Sequence, residues 1–293
     1  MDVYIIFSAE CLEYGERGHP ESPERVYSTA RLLMEKGLKF VEPKPCEDED
    51  ILLVHTREFV EDVKRGKLND PDTPNIPRIY HYAKLSAGGA IKAMELALEG
   101  EAAFSLMRPP GHHAGRNGRA LNAPSLGFCY FNNIAIACAK AMKQCEVGRV
   151  AVIDIDCHHG NGTQEIFLNN PGVLFISLHK FGFFYPGTGA TSEGNCLNYP
   201  LGWNTTEPEY MAALRSALKE VERFNPDLVA VSAGFDTYKV DPIGGLGLSK
   251  ESYKTIGRMI SELGKRTFAV LEGGYSRDMP ECVYNLLVGL ENF

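Results

Sequence analysis

The sequence predicts an α/β fold in which helices cover both faces of a single, mostly parallel sheet. One observation is a series of short apolar runs rich in β-branched residues, and another is the amphipathic stretch that separates each run from the next. Several runs are apolar throughout, as in strands buried on both faces, and strands that alternate with helices form parallel sheets. No long linker or internal repeat interrupts the pattern, so we expect a single domain over residues 1–293.

Strands and helices can be assigned in chain order from these patterns. The predicted strands are residues 3–8, 103–107, 150–155, 173–178, 228–232 and 268–271. The predicted helices are residues 23–36, 80–99, 132–144, 207–224, 250–263 and 281–290. Two stretches rich in Pro, Gly and Asn, residues 69–77 and 115–125, are predicted to be surface loops, where binding residues often lie.

Composition and charge argue against several classes of function. Apolar residues make up 44% of the chain and the net charge is −8 without a basic stripe, so nucleic acid is not an expected partner. No apolar run nears the roughly 20 residues that cross a bilayer, so we expect no membrane partner. Eight scattered cysteines without a CxxC pair indicate reduced thiols, and the first residues lack the basic region of a signal peptide. We therefore expect a cytoplasmic protein, and the sequence leaves its oligomeric state open.

Polar residues follow five of the predicted strands at the point where each strand ends. These segments are RPPGHH at 108–113, DIDCHHG at 154–160, SLHK at 177–180, AGFD at 233–236 and EGGY at 272–275. Ligands bind beyond the carboxyl ends of the strands in sheets of this kind, so we expect the five segments to converge there.

A metal site is predicted from the spacing of Asp156 and His158. Residues i and i+2 of an extended segment point the same way, so this carboxylate and imidazole can bind one ion. Asp236, from another strand end, can supply a third ligand and leave a position open for water. A lone D-x-H pair commonly arises by chance, but chance is a poor explanation for five converging strand ends.

The tandem pair His112 and His113 predicts an acid/base device. An isolated pair of histidines in a loop does not indicate acid/base catalysis. The interpretation requires hydrogen-bond acceptors next to the two imidazoles. Asp154 and Asn161 are the expected partners, because they lie on either side of the D-x-H segment.

Taken in order, the motifs RPPGHHA, GFCYFNN, DIDCHHGNGTQ, SLHKF, FYPGTG, SAGFD and LEGGY resemble the histone deacetylase family and its acetylpolyamine-hydrolysing, bacterial and archaeal relatives. The early segments GHPESPER and VHT also fit, so the resemblance runs almost end to end. It implies the arginase/deacetylase fold, a three-layer α/β/α sandwich with a parallel sheet of about eight strands. Within the family the chain resembles a class II-like prokaryotic member.

The resemblance implies a role for each of these residues. Asp156, His158 and Asp236 would bind a catalytic Zn²⁺, although Fe²⁺ or Co²⁺ would also suit the ligands. Tyr275 would stabilise the oxyanion. His112, paired with Asp154, would stay charged, and His113 would be the general base. Its partner Asn161 stands where many family members have Asp, so we expect His113 to be unprotonated near pH 7.

The resemblance also implies substrate contacts. Phe128 and Tyr185 would form the walls of an acyl-lysine tunnel beside Gly127, although the usual second wall is Phe and either ring could be ordinary core packing. Arg25 would line an inner cavity for acetate, or it could simply brace the first helix. Asp72 would be a rim carboxylate that binds the substrate backbone.

A structural monovalent cation, usually K⁺, is implied behind the metal site. Its ligands would come from side chains and backbone carbonyls of residues on two neighbouring strand ends. These residues are Asp154, Asp156, His158, Ser177 and Leu178.

Several functions compete with hydrolysis of acetyl-lysine in peptides or proteins. The acetylpolyamines and other small acetylated amines are alternative substrates, and Arg116 and Arg119 argue against a polycation if they lie at the mouth. Binuclear ureohydrolases need further carboxylates where this chain has Gly160 and Tyr238. A catalytically silent acetyl-lysine binder is less expected, since every catalytic residue type is present.

Overall fold

The computed structural model describes residues 3–291 and contains one central eight-stranded sheet. Its strands follow the order β2-β1-β3-β10-β9-β6-β7-β8, and every neighbouring pair is parallel. They are β1 Val3–Ile6, β2 Lys39–Val41, β3 Ala102–Ser105, β6 Val150–Asp154, β7 Val173–Lys180, β8 Cys196–Leu201, β9 Leu228–Ala233 and β10 Arg266–Leu271. A small antiparallel hairpin, β4 Ala114–Gly115 and β5 Gly118–Arg119, stands apart from the sheet.

Helices occupy the connections between the strands, after a short 3₁₀ helix at Ala9–Leu12. They are α1 Pro23–Glu35, α2 Asp48–Ile51, α3 Arg57–Lys64, α4 Ile79–Leu98, α5 Asn133–Gln144, α6 Asn161–Phe167, α7 Glu207–Phe224, α8 Ser252–Ser261 and α9 Met279–Leu290. The predicted α/β/α fold with a parallel sheet of about eight strands is therefore confirmed.

Two hydrophobic cores lie on opposite faces of the sheet, because successive strand side chains point in opposite directions. In β6, Ala151 and Ile153 pack with residues of α1, α7, α8 and α9, whereas Val150 and Val152 pack with residues of α3, α4, α5 and α6. Burying one such aliphatic side chain stabilises the fold by about 1.5–3 kcal/mol. The central strands are apolar throughout because they contribute to both cores.

The edge strands β2 and β8 were not predicted from the sequence. Each has hydrogen-bonded neighbours on one side only, and both contain partly exposed residues, so neither forms a continuous apolar run. The helices α2, α3 and α6 were missed because they are short, with 4, 8 and 7 residues. All six predicted strands are present.

The sheet order places the chemically active segments side by side. Strands β10, β9 and β6 are adjacent in the middle of the sheet, and β7 follows β6. Their carboxyl ends therefore bring the segments after Asp154, Ala233 and Leu271 to one place. Among residues 3–291, none of the helices has both the length and the hydropathy of a membrane span.

Candidate metal centre and active site

Two carboxylates and one imidazole converge beyond the carboxyl ends of β6 and β9. The Nδ1 atom of His158 lies 3.0 Å from Oδ1 of Asp156 and 2.9 Å from Oδ2 of Asp236. Each of the three residues offers a ligand atom, and these atoms all lie within 4.8 Å of one another. All three side chains are buried. The structure thus brings the predicted metal ligands together.

The donor set fits a divalent metal ion. Oδ2 of Asp236 is buried, and within the described range its near polar neighbour, Nδ1 of His158 at 2.9 Å, lacks the geometry of a hydrogen bond. The oxygen is therefore available to a cation. Burial and the nearby Asp156 carboxylate raise the pKa of Asp236 to about 7, because two carboxylates that lie close together repel each other. A divalent cation between them would relieve this repulsion. Zn²⁺ binds Asp oxygen and His nitrogen, and a catalytic zinc site has three protein ligands with a further position open for water. Such a site would favour occupation by Zn²⁺ or a similar ion.

Backbone amides orient the two carboxylates. Asp156 accepts hydrogen bonds from the N–H groups of His158 and Gly273, each at 2.8 Å, and Asp236 accepts one from Cys157 at 2.8 Å. A Cβ atom added to Gly273 would lie 2.5 Å from Oδ2 of Asp236 and 2.6 Å from Oδ2 of Asp156. The glycine after β10 therefore leaves the space in which the carboxylates meet.

The tandem histidines lie beside the metal centre and have different partners. His112 Nδ1 lies 2.9 Å from Oδ2 of Asp154, and its Nε2 lies 3.8 Å from Oδ1 of Asp156. His113 Nδ1 lies 2.7 Å from Oδ1 of Asn161, at the start of α6. Both pairings that the sequence suggested are therefore present in the structure.

The two imidazoles have opposite charge preferences. Burial disfavours the charged form of His112, but the carboxylates of Asp154, Asp156 and Glu272 outweigh it and raise the pKa of His112 to about 10. Burial lowers the pKa of His113 well below its ordinary value, and the positive charge on His112 lowers it further. A charged imidazole thus stands next to a neutral one.

Glu272 is a functional candidate that the sequence analysis did not single out. Its Oε2 accepts hydrogen bonds from the N–H groups of Gly111 at 2.8 Å and His112 at 3.2 Å, and its Oε1 accepts one from Ser232. This buried carboxylate therefore ties the histidine loop to β9 and β10. The sequence pattern that could have identified Glu272 is an acidic residue directly after an apolar strand.

Tyr275 faces the same region and is fixed through its backbone. Its N–H donates to Oδ2 of Asp241 at 2.7 Å, and its ring lies 4.6 Å from the Arg25 guanidinium carbon and 6.0 Å from the Phe128 ring. Burial raises the pKa of Tyr275 well above its ordinary value. Its phenol is therefore a neutral hydrogen-bond donor over the ordinary pH range.

Arg25 contacts the backbone on both sides of Gly273. Its Nε and Nη2 atoms donate to the carbonyls of Gly274 and Glu272, each at 2.6 Å, and its Nη1 pairs with Glu21 at 3.1 Å. Arg25 thus braces the segment that carries Tyr275, rather than only the first helix. Asp241, which the sequence analysis did not identify, braces the same segment from the other side.

Of the two predicted tunnel walls, Tyr185 lies beside the metal centre and Phe128 lies beside Tyr275. The Tyr185 ring lies 4.9 Å from His113 and 5.9 Å from His158, whereas the Phe128 ring lies on the side of Tyr275. A Cβ atom on Gly127 would lie 2.4 Å from the His113 ring. Gly127 therefore permits close approach at this point.

Asp72, which the resemblance predicts to be a rim carboxylate, lies in the loop of residues 69–77. Asp72 accepts hydrogen bonds from the hydroxyls of Ser125 and Thr73, so both of its carboxylate oxygens have protein partners. Arg119 pairs with Asp70 at 2.8 Å, and Arg116 donates to a carbonyl of α6. Asp70 offsets the charge of Arg119, whereas the partner of Arg116 is an uncharged carbonyl. The expected repulsion of a polycation is therefore weakened at Arg119 and stays a prediction at Arg116.

The predicted cation-site residues lie on adjacent strands behind the metal centre. Asp154 at the end of β6 is in register with Ser177 of β7, and both are fully buried with Leu178. Ser177 Oγ lies 2.9 Å from Nδ1 of His179. Asp154 Oδ1 accepts the N–H of Asp156 at 3.0 Å, which links this region to the metal ligands.

Comparisons with known proteins show the family to which the chain belongs. The model of the histone deacetylase domain matches residues 19–289. A probable deacetylase of Archaeoglobus fulgidus is 40% identical, over 93% of this chain and 81% of that protein. A histone deacetylase-like amidohydrolase of Pseudomonas aeruginosa is 40% identical, over 88% of this chain and 73% of that protein.

Solved structures show the same fold. The HDA15 HD domain aligns with a TM-score of 0.87 and 32% identity, covering 98% of this chain and 88% of that one. The acetylpolyamine aminohydrolase of Burkholderia pseudomallei aligns with a TM-score of 0.88 and 27% identity, covering 99% of both chains. Fold and site together define an amide-hydrolysing enzyme. The chain belongs to the histone deacetylase/acetylpolyamine amidohydrolase family.

Proposed function

We propose that the protein removes acetyl groups from acetyl-lysine side chains of peptides or proteins in a zinc-dependent hydrolysis. The observation that carries the proposal is the meeting of a two-carboxylate, one-imidazole metal site with a neutral histidine and a charged one. Such a combination would provide both a site for a metal ion and a proton-transfer group for amide hydrolysis.

The proposed metal ligands are Asp156, His158 and Asp236. A bound Zn²⁺ would polarise the acetamide carbonyl and lower the pKa of a water molecule. The ligands leave its identity open between Zn²⁺, Fe²⁺ and Co²⁺. A K⁺ ion near Asp154 and Ser177 would further support the strand ends behind the site.

His113 is proposed as the general base. Its low pKa leaves the imidazole free to accept a proton from water, and the same nitrogen can then protonate the leaving amine. His112 remains charged through its contact with Asp154 and stabilises negative charge that develops nearby. The division of roles follows from the different partners of the two rings.

Tyr275 is proposed as the oxyanion donor. Its neutral phenol can donate a hydrogen bond to the carbonyl oxygen, and Asp241 and Arg25 position the segment that carries it. Phe128 and Tyr185 would enclose the alkyl chain of the substrate next to Gly127. Asp72 would bind the substrate backbone at the rim by giving up its hydrogen bond with Ser125 or Thr73 and accepting one from a substrate N–H group.

Acetylpolyamine hydrolysis is the second candidate. The observation that favours it is the match to the Burkholderia acetylpolyamine aminohydrolase over 99% of both chains. The ion pair of Arg119 with Asp70 also weakens one argument against a polycationic substrate. Other small acetylated amines would use the same chemistry.

Acetate release from matched substrates tests the proposal. Zinc-loaded protein is given an acetyl-lysine peptide, acetylspermidine and acetylputrescine, with and without a chelator. Chelator-sensitive release that is fastest from the peptide supports the proposed function. Faster release from a polyamine selects the second candidate, and absence of release from all three refutes both.

A further inference from the structure

Large apolar side chains lie exposed to solvent beside the metal centre. Phe183 is fully exposed, Trp203 is 53% exposed and Ile243 is 36% exposed. The ring of the partly buried Phe184 meets Trp203 edge-on, with centroids 5.5 Å apart. We call Phe183, Phe184, Trp203 and Ile243 the aromatic patch. Exposed apolar side chains grouped beside a candidate active site are typical of a binding surface.

The aromatic patch is continuous with the metal centre. The Phe184 ring stacks on the imidazole of His158, with centroids 4.8 Å apart and planes 11° from parallel. The next residue, Tyr185, forms the proposed tunnel wall beside His113. Consecutive Cα atoms are about 3.8 Å apart. Phe183 is two residues before Tyr185 in the chain. It therefore lies close enough to contact a substrate residue that flanks the acetyl-lysine in the tunnel.

A fixed positive charge lies within the aromatic patch. The Lys180 Nζ atom is 3.9 Å from the centroid of the Trp203 ring and 4.6 Å from that of Phe184. It also donates to the carbonyls of Gly244 and Gly245, each at 3.1 Å, next to Ile243. The electron-rich faces of both rings thus already contact an ammonium group.

The position of Lys180 determines which ligand suits the aromatic patch. The ammonium group of a polyamine would be repelled by Lys180. It would also find the faces of the Trp203 and Phe184 rings already occupied by the Lys180 ammonium group. An uncharged apolar side chain would instead bury the exposed surface of Phe183 and Trp203. The patch therefore favours apolar ligands over polycations.

We infer that the aromatic patch binds an apolar or aromatic side chain that flanks the acetyl-lysine of a polypeptide substrate. The inference rests on the proposed function and narrows its substrate class. A polyamine has no such side chain, so the patch would contribute nothing to its binding.

Two acetyl-lysine peptides that differ only in one flanking residue, Phe or Gly, test the inference by kinetics. Burial of one aromatic side chain predicts that the Phe peptide has a kcat/KM about tenfold higher. Phe183→Ser is expected to remove most of that preference. The matched control Met34→Ser removes another exposed apolar side chain, on α1, and is expected to retain it.

Tryptophan fluorescence gives a readout that does not depend on turnover. Trp203 is the only tryptophan in the chain, so its emission reports directly on the aromatic patch. The Phe peptide is expected to shift this emission to shorter wavelength, with a weaker response to the Gly peptide and none to acetylspermidine. Phe183→Ser should weaken the response to the Phe peptide.

The two readouts separate the inference from the proposed function. Acetate release from both peptides at equal kcat/KM, without an emission change, would overturn the inference and leave the proposed function standing. An emission change specific to the Phe peptide without acetate release would support the patch and refute the deacetylase proposal. An emission shift that depends on protein concentration alone would assign the patch to a second copy of the chain and overturn the inference.

Discussion

The Nδ1 atom of His113 lies 2.7 Å from the neutral amide oxygen of Asn161. Its neighbour His112, whose ring centroid is 4.0 Å away, instead contacts the carboxylate of Asp154 at 2.9 Å. The pKa values of the two rings move in opposite directions, since burial dominates at His113 and carboxylates dominate at His112. The two adjacent imidazoles therefore differ in charge, and one difference between them is that His113 contacts an amide where His112 contacts a carboxylate.

We predict that Asn161→Asp moves the acidic limb of the kcat/KM profile to higher pH. A general base must be unprotonated, so activity falls as the pH drops through the pKa of His113. A carboxylate beside Nδ1 favours the protonated form and raises that pKa. The measurement is kcat/KM from pH 5 to 9, and a limb that stays in place or moves to lower pH contradicts the prediction.

The control for Asn161→Asp is thermal stability. The Asn161 amide nitrogen donates to the carbonyl of Ala120 at 2.9 Å, and this bond is lost in the variant. A lower melting temperature is therefore expected, and it is not evidence for or against His113 as the general base. The pH at which activity is half-maximal, measured well below the melting temperature, remains the test.

Tyr275→Phe is predicted to lower kcat by about 10²–10³, the usual cost of removing one oxyanion donor. The metal content should be unchanged, because Tyr275 is not among the three candidate ligands. Stopped assays of acetate release and elemental analysis of the same preparation give both quantities. Nearly full turnover in this variant would remove Tyr275 from the mechanism.

Asp236→Ala is predicted to lose the metal ion. The change removes one of three ligands and leaves Asp156 and His158 to bind alone. Elemental analysis after dialysis should find much less zinc than in Tyr275→Phe, which serves as the matched control within the site. Equal zinc in the two variants would place the metal elsewhere.

The sequence predicted the central strands and the Asp156–His158 pair of the candidate metal site because both depend on short-range patterns. Continuous apolar runs mark β6, β7 and β9, and the spacing of Asp156 and His158 directs both side chains to one side. Contacts between distant segments leave no such pattern. The hydrogen bonds that Glu272 accepts from Gly111 and His112 cross more than 150 residues of sequence, since their separations are 161 and 160.

The same limit applied to the loops. Asp70 and Arg119 are 49 residues apart in the sequence, and only the structure shows that they form an ion pair. The sequence could not assign this partner to Arg119, so the charge that the loop presents to a substrate could not be predicted from it.

Asp241→Asn is predicted to lower kcat by about 10–100-fold with a smaller change in KM. Oδ2 of Asp241 accepts the N–H groups of Tyr275 and Ser276 at 2.7 and 3.0 Å, and Oδ1 accepts those of Ile243 and Gly244. An amide keeps only one acceptor atom, so one of the two backbone segments is released. Steady-state kinetics on an acetyl-lysine peptide provide the measurement.

Two comparisons distinguish positioning from a general loss of structure in Asp241→Asn. If Asp241 acts through Tyr275, the double variant with Tyr275→Phe should be little slower than Tyr275→Phe alone. Independent, multiplied losses in the double variant would show that Asp241 acts by another route. Zinc content should match that of the unmodified protein.

Glu21→Ala is predicted to destabilise the fold by about 3–5 kcal/mol, because it leaves a buried charge without a partner. The Arg108 side chain is fully buried, and its Nε and Nη2 atoms donate to Glu21 at 2.6 and 2.7 Å. Urea titration of the metal-loaded protein measures the free energy of unfolding. Glu220→Ala is the matched control, since it breaks an ion pair with the exposed Arg223 and should leave that free energy nearly unchanged.

The double change Glu21→Leu with Arg108→Met separates the cost of an unpaired charge from the loss of packing. Replacing Glu21 and Arg108 with apolar groups of similar volume removes the unpaired Arg108 guanidinium, so the double variant should be more stable than Glu21→Ala. Arg25 loses its contact with Glu21 in both variants, so this loss does not affect the comparison. Arg108 also donates to the carbonyls of Cys11 and Tyr14, at 2.8 and 2.9 Å, and these acceptors lose their partner in the double variant. Recovery is therefore expected to be partial. If the double variant is less stable than Glu21→Ala, the carbonyl contacts of Arg108 stabilise the fold more than its ion pair does.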